Sequence, residues 1–133
     1  MKKVLILCTG NSCRSIIAEA LINKELDGII AYSSGVKASG KVNPNAKKVL
    51  EKNMCWNDKY HSKDIDKVIN LSYDLVVTVC DNANELCPIF NTNTNTKVIH
   101  VGFEDPDGKE FNEFVKTYEL IKDTLLPTVL KEI

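Results

Sequence analysis

Long apolar runs are missing from this chain: no stretch approaches the roughly 18 apolar residues of a membrane span, so no association with a membrane is expected. Net charge is nearly absent too. Seventeen lysines and arginines face eighteen acidic residues, for a formal charge of −1. The lysines are scattered among the acids, as on a solvated surface, which argues against nucleic acid as a partner. There is no linker, charge block or internal repeat. The opening MKKVLILC imitates a secretory signal, but its apolar stretch falls short of the roughly seven residues such a signal needs. It reads instead as a buried strand of a cytoplasmic protein. The two histidines, His61 and His100, lack metal-ligand spacing to the cysteines, so no zinc site is expected.

The 133 residues, 44% hydrophobic and 26% charged, suit one globular domain spanning 1–133, and nothing in them demands more than a monomer. Cysteine is present at positions 8, 13, 55, 80 and 87. An odd count in a reducing compartment argues against a disulfide framework, leaving each thiol either buried or reactive. Cys55, beside the only tryptophan in NMCWND, reads as a buried apolar residue.

Periodicity divides the chain into alternating strands and helices. Strands are expected at 3–7, 29–34, 75–79 and 97–101. A helix is expected over 15–26, and a second over 44–52, with Asn43 as its cap and Pro44 in its first turn. A third, short helix is expected within 61–70, with Ser62 as its cap. Phe111, Phe114, Val115, Tyr118, Ile121 and Leu125 form a long amphipathic stripe in which Pro127 is expected to kink or shorten the end. NTNTNT, at 91–96, reads as a loop. This alternation predicts an α/β fold, a four-stranded parallel sheet of order 2-1-3-4 with helices on both faces. In such a sheet the ligand crevice lies beyond the carboxyl ends of the strands, where Cys8 and Cys80 both fall.

CTGNSCRS, residues 8–15, has the composition of an anion cradle. The amides of Thr9, Gly10, Asn11, Ser12, Cys13 and Arg14 can curl into a nest. Gly10 is expected to take a backbone conformation that a larger residue would resist. The helix starting near Arg14 adds its positive end, and the Arg14 guanidinium can close the ring bidentately. That field favours thiolate at Cys8, and Ser15 can donate to the same sulfur, which makes Cys8 a candidate nucleophile. Cys13 reads as a packing residue within the loop. An ordinary strand-to-helix turn around a buried cysteine is the competing reading.

The second motif is CDNANELC, whose cysteines, Cys80 and Cys87, stand seven positions apart. On a regular helix they would be roughly 10 Å apart along the axis. A disulfide needs Cα atoms within about 7 Å, so the segment must bend to bridge them. Its polar composition gives it little helix preference. Two core thiols flanking a short helix are the alternative.

VLILCTGNSCRS resembles the active-site loop of the low-molecular-weight protein tyrosine phosphatase superfamily, closest to its thioredoxin-coupled arsenate reductases. The resemblance continues through YSSG (32–35), VNPNA (42–46), DLVVTVCDNANELCPI (74–89) and GFEDPDGKEFNEF (102–114). It implies a low-molecular-weight phosphatase-like fold and reduction of arsenate to arsenite. Phosphate and sulfate would be competing anions. Cys8, Arg14, Ser15, Cys80, Cys87 and Asp105 would be catalytic. Cys8 would attack arsenic, Asp105 would protonate the departing oxygen, and Cys80 and Cys87 would carry the oxidation as a disulfide to thioredoxin. Glu104 and Asp107 are alternative acids, and an Asp before Pro is often a turn former.

No tightly bound cofactor is expected. Some relatives hold a monovalent cation such as potassium, which would match Asn11, Ser33, Ser62 and Asp64 here, although the same residue types make caps and turns. The alternative activity is a phosphatase for phosphotyrosine or small phosphoesters, using Cys8, Arg14 and Asp105. Against phosphotyrosine, Asp107, Gly108 and Lys109 stand where such phosphatases carry aromatic residues. A non-enzymatic redox sensor or oxyanion-binding module is the third reading. The NTNTNT loop and Val101 depart from the reductase pattern.

Overall fold

A computed structural model describes residues 1–80 and 96–133. Four strands, β1 (Lys2–Cys8), β2 (Ile29–Gly35), β3 (Leu75–Thr78) and β4 (Lys97–His100), form one parallel sheet in the order β2-β1-β3-β4. The helices are α1 (Arg14–Glu25), α2 (Pro44–Lys52) and α3 (Phe111–Glu132). The expected α/β topology is therefore the observed one. Two expectations, Cys87 with its loop and most of NTNTNT, lie outside the described residues.

Strand alternation sorts the side chains to two faces. Val4, Ile6, Leu75 and Val77 pack in one cluster with Ile17 and Leu21 of α1, Leu50 of α2, and Phe114, Ile121 and Leu125 of α3. Each such fully buried side chain contributes about 1.5–3 kcal/mol relative to an exposed one. Leu5, Leu7 and Val76 point the other way, onto Val68 and Tyr73. The long helices thus lie on one face, and among the described residues only a 3-10 turn, Ile65–Lys67, stands with the other.

That turn is all that forms of the helix expected within 61–70. The groups a helix would need are taken by tertiary partners. The Lys63 amide donates to Asn11 Oδ1 at 2.9 Å, its carbonyl accepts from the Gly35 amide at 2.9 Å, and Asp64 bridges Gly35. Ser62 caps no helix; its hydroxyl donates to the Gly10 carbonyl at 3.0 Å. Helix α2 matches its expectation, and Asn43 Oδ1 accepts from the Asn45 amide at 2.8 Å. Helix α3 is not shortened at Pro127 but continues to Glu132. Proline deprives the Asp123 carbonyl of a donor, yet both residues are exposed, where water can serve that carbonyl.

Candidate active site

The loop between β1 and α1 lies at the carboxyl end of the sheet, and its shape is set by a second loop, 36–43. Amides of Val36, Lys37, Ser39 and Asn43 donate to the carbonyls of Cys8, Thr9, Gly10 and Ser12, at 2.9–3.1 Å. With its carbonyls held outward, the loop keeps the amides of Gly10, Ser12 and Cys13 without an acceptor among the described residues. Together with the first amides of α1 they form an anion nest.

The left-handed residue of this loop is Asn11, with φ of 49°. Gly10 is not in that region, and a Cβ there would meet only Ser12 Oγ at 3.6 Å, so the expected role for its conformational freedom is corrected. The glycine that matters is Gly35, whose Cβ would lie 2.5 Å from the Thr9 carbonyl oxygen. It pairs with Cys8 in the sheet register and lets the loop fold back against β2.

Cys8 is 2% exposed, and its sulfur accepts from the Asn11 amide at 3.3 Å and meets Ser15 Oγ at 3.0 Å. Either of the last two atoms can donate, and the surrounding network leaves the Ser15 proton available. Asn11 Oδ1 faces the Lys63 amide, so its Nδ2 faces Ser15 Oγ at 2.7 Å and Ser33 Oγ at 2.9 Å. Ser33 passes its own proton to Glu19 Oε1 at 2.6 Å. Ser15, already accepting from Asn11, has its proton left for the Cys8 sulfur.

Cys13 is 2% exposed, and burial pushes its thiol up to about 12, so at neutral pH it is a protonated packing group. Arg14 is 7% exposed; Nη1 donates to the Phe103 carbonyl at 3.1 Å and Nη2 lies 3.5 Å from Asp105 Oδ2. Those contacts aim the guanidinium across the mouth of the loop. Of the three acids weighed for proton donation, Asp105 approaches Arg14. Glu104 pairs with Lys109 at 2.6 Å, and Asp107 accepts from Asn43 Nδ2 at 2.7 Å. Asp105 also makes the turn expected of an Asp before Pro, its Oδ1 accepting from the Asp107 amide at 3.0 Å.

Cys80 follows β3 and is 3% exposed, with Thr9 Oγ1 donating to its sulfur at 3.8 Å. The two cysteines expected to share one crevice are thus on neighbouring strand ends. Cys55 is buried, against Tyr118 Oη at 3.8 Å, as a packing residue.

The four side chains matched to a monovalent cation each have protein partners. Asn11 Oδ1 is bound by the Lys63 amide, Ser62 accepts from the Gly40 amide, and Asp64 Oδ1 accepts from the Ala38 amide. Ser33 is bound to Asn11 and Glu19. Reasoning from sequence missed Glu19, Gly35 and Lys63. The signal for Glu19 was available: it sits in SIIAEALIN, a helix segment apolar on all sides and hence buried, where a carboxylate must find partners.

A profile of the family described as "Low molecular weight phosphotyrosine protein phosphatase" matches residues 3–133. An arsenate reductase of Bacillus cereus (strain AH187) is 42% identical over 125 residues, 93% of this chain and 91% of that protein. The solved structure of an arsenate reductase in the phosphate binding state superposes with a TM-score of 0.84 at 27% identity, covering 100% of both chains. A low molecular weight protein tyrosine phosphatase from T. tengcongensis shares the fold, with a TM-score of 0.77 at 22% identity over 100% of both chains.

Proposed function

This chain belongs to the low molecular weight phosphotyrosine protein phosphatase family, and within it we propose that the chain is an arsenate reductase working through a three-cysteine relay. The observation that carries this reading is the second thiol, Cys80, one hydroxyl away from the anion loop at Thr9. A phosphatase of this design needs one thiolate and one acid, whereas reduction needs two electrons, which a pair of thiols supplies by becoming a disulfide.

Arsenate sits on the amides of 9–14 with Arg14 across two of its oxygens. The Cys8 thiolate attacks arsenic while Asp105 gives a proton to the oxygen that leaves as water. The Cys80 thiolate then attacks the Cys8 sulfur; the sulfur–arsenic bond breaks, its electron pair stays on arsenic, and arsenite departs from a Cys8–Cys80 disulfide. The Cys87 thiolate attacks Cys80 next, returning Cys8 as thiolate and leaving a Cys80–Cys87 disulfide. Reduced thioredoxin, the proposed electron donor in the cytoplasm, restores both thiols. Thr9 and Ser15 hold the sulfurs in line, and Cys13, protonated, stays out of the exchange.

A second reading, hydrolysis of small phosphoesters with Cys8, Arg14 and Asp105, is favoured by the Arg14–Asp105 approach alone. A thioredoxin-coupled assay separates the two. Arsenate should drive consumption of reduced thioredoxin by wild type and not by Cys80→Ser, while any phosphoester hydrolysis should survive that change. Equal arsenate-dependent turnover in both proteins would eliminate the relay.

A further inference from the structure

Asn43 caps α2, but that task uses only half of its side chain. Its Oδ1 accepts from the Asn45 amide at 2.8 Å, which fixes the orientation of the carboxamide and turns Nδ2 outward. Nδ2 donates to Asp107 Oδ1 at 2.7 Å, although 64 positions of sequence separate the two residues. The main chain of Asn43 is tied at both ends. Its amide donates to the Ser12 carbonyl at 2.9 Å, and its carbonyl accepts from the Lys47 amide at 3.1 Å. Asn43 therefore joins the anion loop, the start of α2 and the loop that carries Asp105.

From Asp107 the connection returns to the anion loop. The Asp107 amide donates to Asp105 Oδ1 at 3.0 Å, and Asp105 Oδ2 lies 3.5 Å from Arg14 Nη2. Arg14 follows Ser12 by two residues, so Ser12, Asn43, Asp107, Asp105 and Arg14 close a ring around one side of the mouth. Asp105 and Asp107 are both exposed, and both stand beside a loop suited to an anion. Repulsion from an arriving anion would drive an untethered Asp107 toward water. The Cys13 sulfur, 4.0 Å from Asp107 Oδ1, is too far to hold it. The neutral donor on Asn43 is the group that does.

We propose that Asn43 is a positioning residue for proton transfer, holding Asp107 so that the Asp107 amide in turn fixes the carboxyl group of Asp105. The inference rests on Asp105 being the acid of the relay proposed above. Its chemical content is which oxygen delivers the proton. Oδ1 is occupied by the Asp107 amide, so Oδ2, the oxygen facing Arg14, bears the proton that passes to the arsenate oxygen leaving as water.

The test is the rate of the first arsenate step in single turnover, together with solvent exchange of the Asp107 amide read by NMR. Asn43→Asp keeps an equally good cap and sets a second carboxylate against Asp107. It should slow the step about tenfold at saturating arsenate, with half-saturation changed by less than about twofold, and quicken Asp107 amide exchange about threefold or more. Adding Asp107→Asn rebuilds the bridge with donor and acceptor exchanged, and should return both readings to within about twofold of wild type. In an Asp105→Asn background, Asn43→Asp should slow the step no further, because its effect runs through the acid.

Failure of the reciprocal pair to recover would overturn the proposal. So would an added loss in the Asp105→Asn background, a loss confined to half-saturation, or unchanged Asp107 exchange in Asn43→Asp. If Asn43→Asp fails to fold, Asn43→Ser, which keeps a cap but is too short to serve Asp107 as well, should show the same slowing and the same faster exchange. Amide exchange uses no arsenate. A wild type without an arsenate step would therefore count against the proposed function, while the exchange data would still decide whether Asn43 places Asp107 against Asp105.

Discussion

Thr9 Oγ1 lies 3.8 Å from the sulfur of Cys80, although 71 positions of sequence separate the two residues. The contact exists because β1 and β3 are neighbours, with Leu7 opposite Thr78, so that the residues after each strand emerge together. In the proposed relay Cys80 exchanges with Cys8 first and Cys87 follows. Cys87→Ser should complete a single turnover with arsenate and then stop, and peptide mapping of the stalled protein should recover a Cys8–Cys80 cross-link. Sustained turnover of that variant with thioredoxin would remove Cys87 from the scheme.

Arg14→Lys keeps the charge and removes the fork. The Phe103 carbonyl and Asp105 can no longer be met by one planar group, nor can two oxyanion atoms. Steady-state kinetics with arsenate should show kcat/KM falling about 10- to 100-fold, or roughly 1.4–2.8 kcal/mol of lost transition-state binding. A change within twofold would mean that only the charge matters.

Asp105→Asn should slow the first step about 100-fold in single-turnover experiments, the scale expected for loss of a general acid. The same change at Glu104, which faces Lys109, should leave the step within about twofold. A reversed pattern would transfer the proton to Glu104.

Gly35→Ala introduces a Cβ 2.5 Å from the Thr9 carbonyl oxygen and 3.1 Å from the Asn11 amide nitrogen. Backbone on both sides must shift, so denaturant unfolding should show a loss of about 1–3 kcal/mol. Arsenate binding should weaken as well, because the displaced atoms belong to the nest. Gly10→Ala, whose Cβ would meet only Ser12 Oγ at 3.6 Å, should be milder in both measurements.

Burial raises the Cys13 thiol from 9.0 to about 12, while the unfolded chain ionises near the lower value. The folded state therefore holds more protons than the unfolded state between those two pH values, and its stability must fall as pH rises through that window. Below pH 9 the contribution is fully present. Cys13→Ala should flatten the decline of the unfolding midpoint above pH 9 and keep arsenate turnover near wild type. An unchanged slope would show that the thiol is not the responsible group.

Much of this site was legible in the residues because its chemistry is local. The spacing from Cys8 to Arg14 fits one turn of nest plus the first turn of a helix, whatever the rest of the chain does. Asn43 with Pro44 marked the start of α2 for the same reason, since a cap acts within a few residues. The stretch 61–70 was not legible: its polar groups serve Gly10, Asn11 and Gly35, partners that no periodicity announces. Helix α3 likewise continues through Pro127, because only the folded structure leaves Asp123 and Pro127 exposed, where water can serve the unserved carbonyl.

The amino-acid order by itself determined an alternating α/β chain, a strand-to-helix loop that begins at Cys8, and a second thiol, Cys80, at a strand end. Those follow from residue types and short-range spacing, which act before any distant contact forms. Tertiary structure alone decided that Gly35 rather than Gly10 is the indispensable glycine, that the Cys13 thiol is buried and protonated at neutral pH, and that Ser15 Oγ is held against the Cys8 sulfur. Each of these depends on which backbone or charge arrives from elsewhere in the chain: the Thr9 carbonyl against β2, burial under the loop, and the Lys63 amide on Asn11. Close packing and hydrogen-bond direction are properties of neighbours in space, and sequence spacing does not specify them.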